Sequence, residues 1–177
     1  RYAIRTAGRQ DIAAVDALLA RAYPRLLKAD YPPSVWVTAL PLISRAQPRL
    51  VTCGTYYVAE AVDGAILGAG GWTASGSGAQ GGVAGRANVR HLVTDDRVVR
   101  QGIGRAILTH SFSRARAPGM TWMHCTATPT AVPFYRALGF SVIGPVPLPL
   151  APGSAFHAVA LRPSLRAHSD GHNERAG

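Results

Sequence analysis

The feature that most constrains this chain is a glycine turn between a strand-like and a helix-like stretch. Asn88 to Thr94 alternates as a strand, Gln101-Gly102-Ile103-Gly104-Arg105 forms the turn, and a helix is predicted from Gly102 to about Ala115 with Ile103, Ala106, Ile107 and His110 on one face. The first amides of such a helix lack internal partners and its dipole favours an anion there. Glycines let a phosphate approach that backbone, and Arg100 and Arg105 flank the turn with side chains suited to phosphate oxygens. Tight packing of strand on helix is the competing explanation for the same two glycines. The third glycine of a dinucleotide fingerprint is replaced by Ile107, with no acidic residue about 20 positions on, and no Gly-Lys-Ser/Thr follows as a P-loop would need.

The first residues alternate as a short strand, Arg1 to Thr6. Asp11 then stands where it could cap a helix carrying Ile12, Val15, Leu18, Leu19 and Tyr23 at helical spacing, with Pro24 expected to kink or end it. A second helix follows Pro32-Pro33 with Val35, Trp36, Ala39 and Leu40. Pro41 is expected to kink or end it, and Pro48 to close the segment. Tyr56 to Ala61 and Ala65 to Trp72 are apolar runs joined by Asp63-Gly64, a hairpin signal. Ser75 to Gly85 is Gly/Ser/Ala-rich and reads as a mobile loop. Further strands are expected at Thr121 to Thr126, Phe140 to Ile143 and Ala155 to Leu161, with a short helix from Pro129 to Leu138. The pattern gives one α/β (α+β) domain over residues 1–164, a mixed sheet flanked by helices, and a polar flexible tail over 165–177.

The second chemical element is Thr128-Pro129-Thr130-Ala131-Val132-Pro133-Phe134-Tyr135-Arg136-Ala137-Leu138-Gly139-Phe140. Thr128 suits an N-cap, Pro129 a first helical position and Gly139 the residue past the end, with Phe134 and Leu138 on the core side. The Tyr135 phenol can donate a proton or hydrogen bond to a departing anion, while simple aromatic packing competes as its explanation.

Together these elements resemble the GNAT family of N-acetyltransferases, through Leu92-Val93-Thr94, Gly102 to Ala106 and Ala131 to Phe140. The resemblance implies a mixed, mostly antiparallel central sheet with splayed strands flanked by helices. It implies acetyl-CoA, or another acyl-CoA, as cosubstrate, with its pantetheine arm along Leu92, Val93 and Thr94. The pyrophosphate would lie on Arg100, Gln101, Gly102, Ile103, Gly104 and Arg105, with Thr128 and Tyr135 also at the cofactor. Direct transfer of an acetyl group to an amine, Tyr135 acting on the leaving thiolate, is the implied chemistry, with a small-molecule acceptor. A catalytically silent acyl-CoA-binding module, acting through ligand sensing or a protein partner, is the alternative. Acceptor specificity is assigned by fold analogy to the first two helices and the long loop, through Tyr23, Tyr31, Trp36 and Trp72, with Arg90.

The pattern departs from the family in two places. Val99 stands where an Arg or Gln is expected, leaving Arg100 or Arg105 to compensate, and Thr128 stands where Asn is frequent. Asn88 and Arg90 occupy positions where family members carry a base, and neither serves as one. Amine deprotonation is left to water, to His91, or to an acceptor already largely neutral. His110 and His124 read as packing residues.

The net charge of +10 is almost wholly arginine, since Lys28 is the sole lysine among nineteen basic residues. These arginines are scattered and make no basic, aromatic-interleaved run, so the charge reads as a general anion bias and nucleic acid is not the expected partner. No apolar run approaches the roughly 20 residues of a membrane span. Cys53 and Cys125 lack metal or redox spacing and read as buried, inert thiols. Asp95-Asp96 reads as a solvated loop pair without metal. A cytoplasmic enzyme with no metal is the expectation, and homodimerisation is compatible with it.

Overall fold

The computed structural model describes residues 1–75, 84–98, 100–151 and 154–162. Most of the expected mobile loop, Val99 and the polar tail fall outside the described residues. In chain order the elements are β1 (Tyr2–Thr6), α1 (Ile12–Asp30), α2 (Pro33–Ile43), α3 (Pro48–Val51), β2 (Tyr56–Ala61), β3 (Ile66–Ala74) and β4 (Arg86–Thr94). Then come α4 (Ile103–Arg116), β5 (Trp122–Ala127), α5 (Val132–Ala137), β6 (Ser141–Ala151) and β7 (Ser154–Arg162).

The strands form one seven-stranded sheet in the order β1-β2-β3-β4-β5-β7-β6. Every neighbouring pair is antiparallel except β4 and β5. That pair is joined only over Arg86–Asn88 and Trp122–His124. Beyond it, β4 stays with β3 as far as Thr94↔Gly68, whereas β5 follows β7 through Cys125 to Ala127. Each strand keeps a different partner, so the two splay apart and the sheet opens.

Alternation sends the two faces of β2 into two cores. Tyr56 and Val58 pack with Val15, Leu18 and Leu19 of α1, while Tyr57 joins Trp72, Leu108 and Met123 beneath α4. Each such large apolar side chain taken fully out of water contributes about 1.5–3 kcal/mol before entropy is counted. α4 lies close on β3 because Gly68 and Gly70 have no side chain: a Cβ on Gly68 would stand 2.6 Å from the Ile103 side chain, and one on Gly70 3.3 Å from that of Ile107.

The structure corrects several local expectations. Pro24 does not end α1, which runs through it to Asp30 and buries Leu27 one turn later against Ala39 of α2. Pro41 likewise lies inside α2. Tertiary burial outweighs the lost hydrogen bond at both sites. Pro48 opens the one-turn α3 rather than closing a segment, occupying the first turn where its missing N–H costs nothing. Asp11 precedes α1 but does not cap it; its carboxylate accepts from the Gly8 N–H and from Arg5. β6 extends beyond the expected Phe140 to Ile143, through Pro145, Pro147 and Pro149 to Ala151. β6 is the outermost strand, and alternate prolines are tolerated on an edge where one row of amides has no partner. The Asp63-Gly64 hairpin forms as expected, closed by the Ala61 N–H to the Ala65 carbonyl at 2.8 Å.

Candidate active site

A cavity of about 220 Å³ lies at the opening between β4 and β5. Val89, His91 and Leu92 line it from β4, and Cys125, Thr126 and Ala127 from β5. Thr128, Ala131 and Tyr135 continue the wall, and Tyr23, Leu26 and Leu27 of α1 with Ile43 of α2 close it. Topology alone brings these segments together, since they span residues 23 to 135.

β4 carries a bulge here. Ala69 pairs with Val93 and Gly71 with Arg90, so β4 holds one residue more than β3 across the interval. His91 takes up the excess with φ of +42°, a left-handed conformation rare for a non-glycine residue. Its carbonyl accepts a 2.9 Å hydrogen bond from the Tyr56 hydroxyl, and its ring meets Tyr23 edge-on at 6.4 Å. Burial first, and the nearby Arg90 charge second, hold the imidazole below its ordinary pKa, so it is neutral at pH 7.

Tyr135 is buried at the cavity wall between Phe134 and Phe140, with ring centroids at 5.1 and 5.2 Å. Cys125 lines the same cavity, and its thiol interacts with the Tyr135 hydroxyl. Burial, with Cys125 adding to it, raises the phenol well above its ordinary value, and burial pushes the Cys125 thiol up to about 12. Tyr23 is also raised by burial, to about 12. All three groups keep their protons near neutrality.

Thr128 does not cap the turn that follows it. Its Oγ1 is buried with no hydrogen-bond partner, and it lines the cavity. A buried hydroxyl without a partner is costly.

The glycine turn stands at the far end of β4. Gly102 is the N-cap of α4 with φ of +72° and open space where a Cβ would be, and no side chain caps the helix. The amides that follow are therefore available to an anion. Gly104 differs: a Cβ there would lie 3.1 Å from the outer end of the Phe134 ring, so it faces α5 and not open space. Only Gly102 faces open space. Arg100 is exposed and left-handed, with φ of +64°, Arg105 is exposed, and the Gln101 carbonyl accepts from the Tyr2 hydroxyl at 3.3 Å.

The loop between β4 and this turn is clamped. Asp95 is buried and binds Arg97, with Nη2 to Oδ2 at 2.8 Å, and Arg21 of α1 at 2.9 Å, while Asp96 pairs with Arg25 at 2.6 Å. Arg97 first, aided by Arg21, holds the Asp95 carboxyl down at about 2. The solvated-pair expectation is thus corrected; a sequence reading cannot see arginines 70 residues upstream. The remaining carboxylates of the described residues are also engaged. Arg5 binds Asp11 and Glu60, Asp16 accepts from the Ala46 N–H, Asp63 from the Ala65 N–H, and Asp30 from Thr130.

The structure brings His91, Leu92, Thr128, Tyr135 and Tyr23 to one cavity and leaves other expected residues elsewhere. Trp72 is buried beneath α4, its Nε1 donating to the Tyr57 hydroxyl at 3.3 Å, so it is core and not acceptor site. Tyr31 and Trp36 pack in the small cluster between α1 and α2, and Arg90 reaches Thr73. Phe134 is partly exposed rather than core, its ring against Gly104. Cys53 is exposed, against the expectation of two buried thiols. His110 packs edge-on against Tyr57 at 4.5 Å. Sequence reasoning missed Leu26, Leu27 and Ile43 as cavity residues and gave Cys125 no place beside Tyr135; helical spacing marks apolar positions without telling core from cavity wall.

Residues 52–142, just over half of the chain, match the model of the acetyltransferase (GNAT) domain. The chain belongs to the GNAT acetyltransferase family. No curated protein matches it significantly. Among solved structures, this GNAT fold is similar to a GCN5-related N-acetyltransferase from Rhodopseudomonas palustris, at 16% identity and TM-score 0.72 over 92% of this chain and 95% of that one. The yncA protein of Salmonella typhimurium, solved with acetyl-CoA, matches at 17% identity and TM-score 0.64 over 97% and 98% of the two chains. A phosphinothricin acetyltransferase from Sinorhizobium meliloti, solved with acetyl-CoA, matches at 19% identity and TM-score 0.65 over 98% and 94%. At these identities the likeness is one of fold, and it covers the GNAT chain nearly end to end. No helix among the described residues is long and apolar enough to cross a membrane.

Proposed function

We propose that this GNAT domain is an acetyl-CoA-dependent N-acetyltransferase that transfers an acetyl group directly to an amine of a small molecule. The observation that carries the reading is the cavity at the β4–β5 opening, walled by Tyr135, His91 and Thr128. The residues fit the cosubstrate. Beyond Asn88, the edge of β4 facing β5 has no ladder partner among the described residues, so Leu92 to Thr94 can pair with the amides of a pantetheine arm. The uncapped start of α4 at Gly102 to Arg105 can take a pyrophosphate, with Arg100 and Arg105 beside it.

Acetyl-CoA would supply an activated acyl carbon; the protein aligns the amine with it, an entropic contribution that is often large. As the amine nitrogen bonds to the acyl carbon and the carbon–sulfur bond breaks, the amine's proton must leave and the sulfur must be protonated. The proton shed by the amine balances the thiolate through solvent, and Tyr135 assists at the sulfur. A free thiol has a pKa of about 8.5, below that of this buried phenol, so Tyr135 acts mainly by donating a hydrogen bond as charge builds on sulfur. His91 meets the first demand, since its neutral imidazole can accept the amine proton.

Calorimetry with acetyl-CoA and thiol release against an amine panel test the proposal. Binding with acyl transfer supports it. Binding without thiol release from any amine points to the acyl-CoA-binding module instead, and no binding at millimolar ligand overturns both. Tyr135→Phe should bind acetyl-CoA normally yet turn over on the order of a hundredfold more slowly.

A further inference from the structure

We infer that the acceptor is a weakly basic amine that binds uncharged on an apolar body, an aromatic amine being the best match, rather than an amino acid or a polyamine. This rests on the transferase reading above and names its substrate class. The acceptor end of the cavity is built by Tyr23, Leu26 and Leu27 of α1 and Ile43 of α2, facing His91 and Val89. Among the described residues no charged side chain lines it. The carboxylates of the described residues are each held by an arginine, a backbone N–H or Thr130, as set out above. The sequence adds to this, because it contains no Asp or Glu from Gly64 to Thr94 or from Arg97 to Ser169. From β3 to β7 the described chain therefore carries no carboxylate other than the clamped Asp95 and Asp96.

An alkylammonium ion in such a place would lose its water and gain no counter-charge, which strongly disfavours binding. The field opposes it further, since Arg90 neighbours His91 and the chain carries a net charge of +10. A carboxylate on the acceptor would fare no better, because no arginine lines the cavity among the described residues. An aromatic amine avoids both costs: it is neutral at pH 7, its ring suits the apolar wall, and Tyr23 and His91 offer faces and edges for it. A neutral, weakly basic imidazole is also a matched acceptor for the acidic proton that such an amine develops as it attacks.

The test compares three acceptors at pH 7 with saturating acetyl-CoA: an aromatic amine, the benzylic amine that shares its ring but is protonated, and lysine. The inference expects kcat/KM for the aromatic amine to exceed each of the others by at least tenfold. It also expects Asp30→Asn, which removes the carboxylate nearest the α5 turn, to leave that ratio unchanged. Equal or better turnover of lysine or the benzylic amine overturns the inference while leaving the transferase reading intact, as does collapse of the ratio in Asp30→Asn. Absence of transfer to any of the three overturns the inference; if acetyl-CoA also fails to bind, the transferase reading falls with it.

Discussion

The hydroxyl of Tyr56 donates a 2.9 Å hydrogen bond to the main-chain carbonyl of His91, joining the middle of the sheet to the one bulged residue of β4. The bond holds a left-handed histidine at the cavity wall. Tyr56→Phe leaves that carbonyl without its partner while preserving the buried ring. We expect a loss of about 1–3 kcal/mol in urea unfolding. Turnover should fall more than acetyl-CoA affinity, because the bulge sets His91 and not the start of α4.

Three glycines should respond to alanine in three ways. At Gly71 a Cβ would stand 2.1 Å from the Thr55 carbonyl oxygen, a backbone atom that cannot move aside, so Gly71→Ala should cost upwards of about 4 kcal/mol or prevent folding. Gly102→Ala meets no atom but must hold φ near +72°, a strain of about 1–2 kcal/mol. Gly104→Ala presses only on the outer end of the partly exposed Phe134 ring and gains helix propensity, so a change within about 0.5 kcal/mol is expected. Denaturant midpoints at constant slope would check all three.

The two thiols should titrate separately. Cys53 is exposed, whereas Cys125 is buried with its pKa pushed up to about 12. A disulfide reagent at pH 8 should count one fast thiol in the native protein and two after unfolding. Two fast thiols in the native state would contradict the burial of Cys125 beside Tyr135.

Stability should fall with acid in two stages. His91 and His110 have folded-state pKa values below the ordinary 6.5, so below that pH the unfolded chain binds protons the native one does not. Stability therefore rises with pH up to about 6.5. Asp95, held at about 2, and Asp11, also lowered, contribute stability that is complete above the ordinary 3.8 and is lost as pH falls through their folded values. For Asp95 this amounts to about 2 kcal/mol. Chemical denaturation across pH 2–8 would separate the stages, and His91→Gln should shrink the upper one alone.

Much of the frame was legible in the residues. Asp63-Gly64 specified its hairpin, the 102–104 turn specified a helix start, and Gly139 ended the helix carrying Tyr135, since each depends on conformations that few residues tolerate. Pro24 and Pro41 do not end their helices, and β6 runs on through three prolines, because a local rule assumes nothing distant compensates. Burial of Leu27 and the edge position of β6 do compensate. Trp72 misled for a related reason: an aromatic reads alike whether it faces a cavity or a core.

The sequence by itself determined the order of the strands and main helices, the glycine turn that opens α4, and the absence of carboxylates across the strands that bound the opening. Tertiary structure decided the rest. It parted β4 from β5 by giving each a different partner, buried Thr128 Oγ1 without a bond, set Tyr135 against Cys125, and tied Asp95 to Arg21. These are relations between residues far apart in the chain, fixed by packing and pairing that no local pattern encodes.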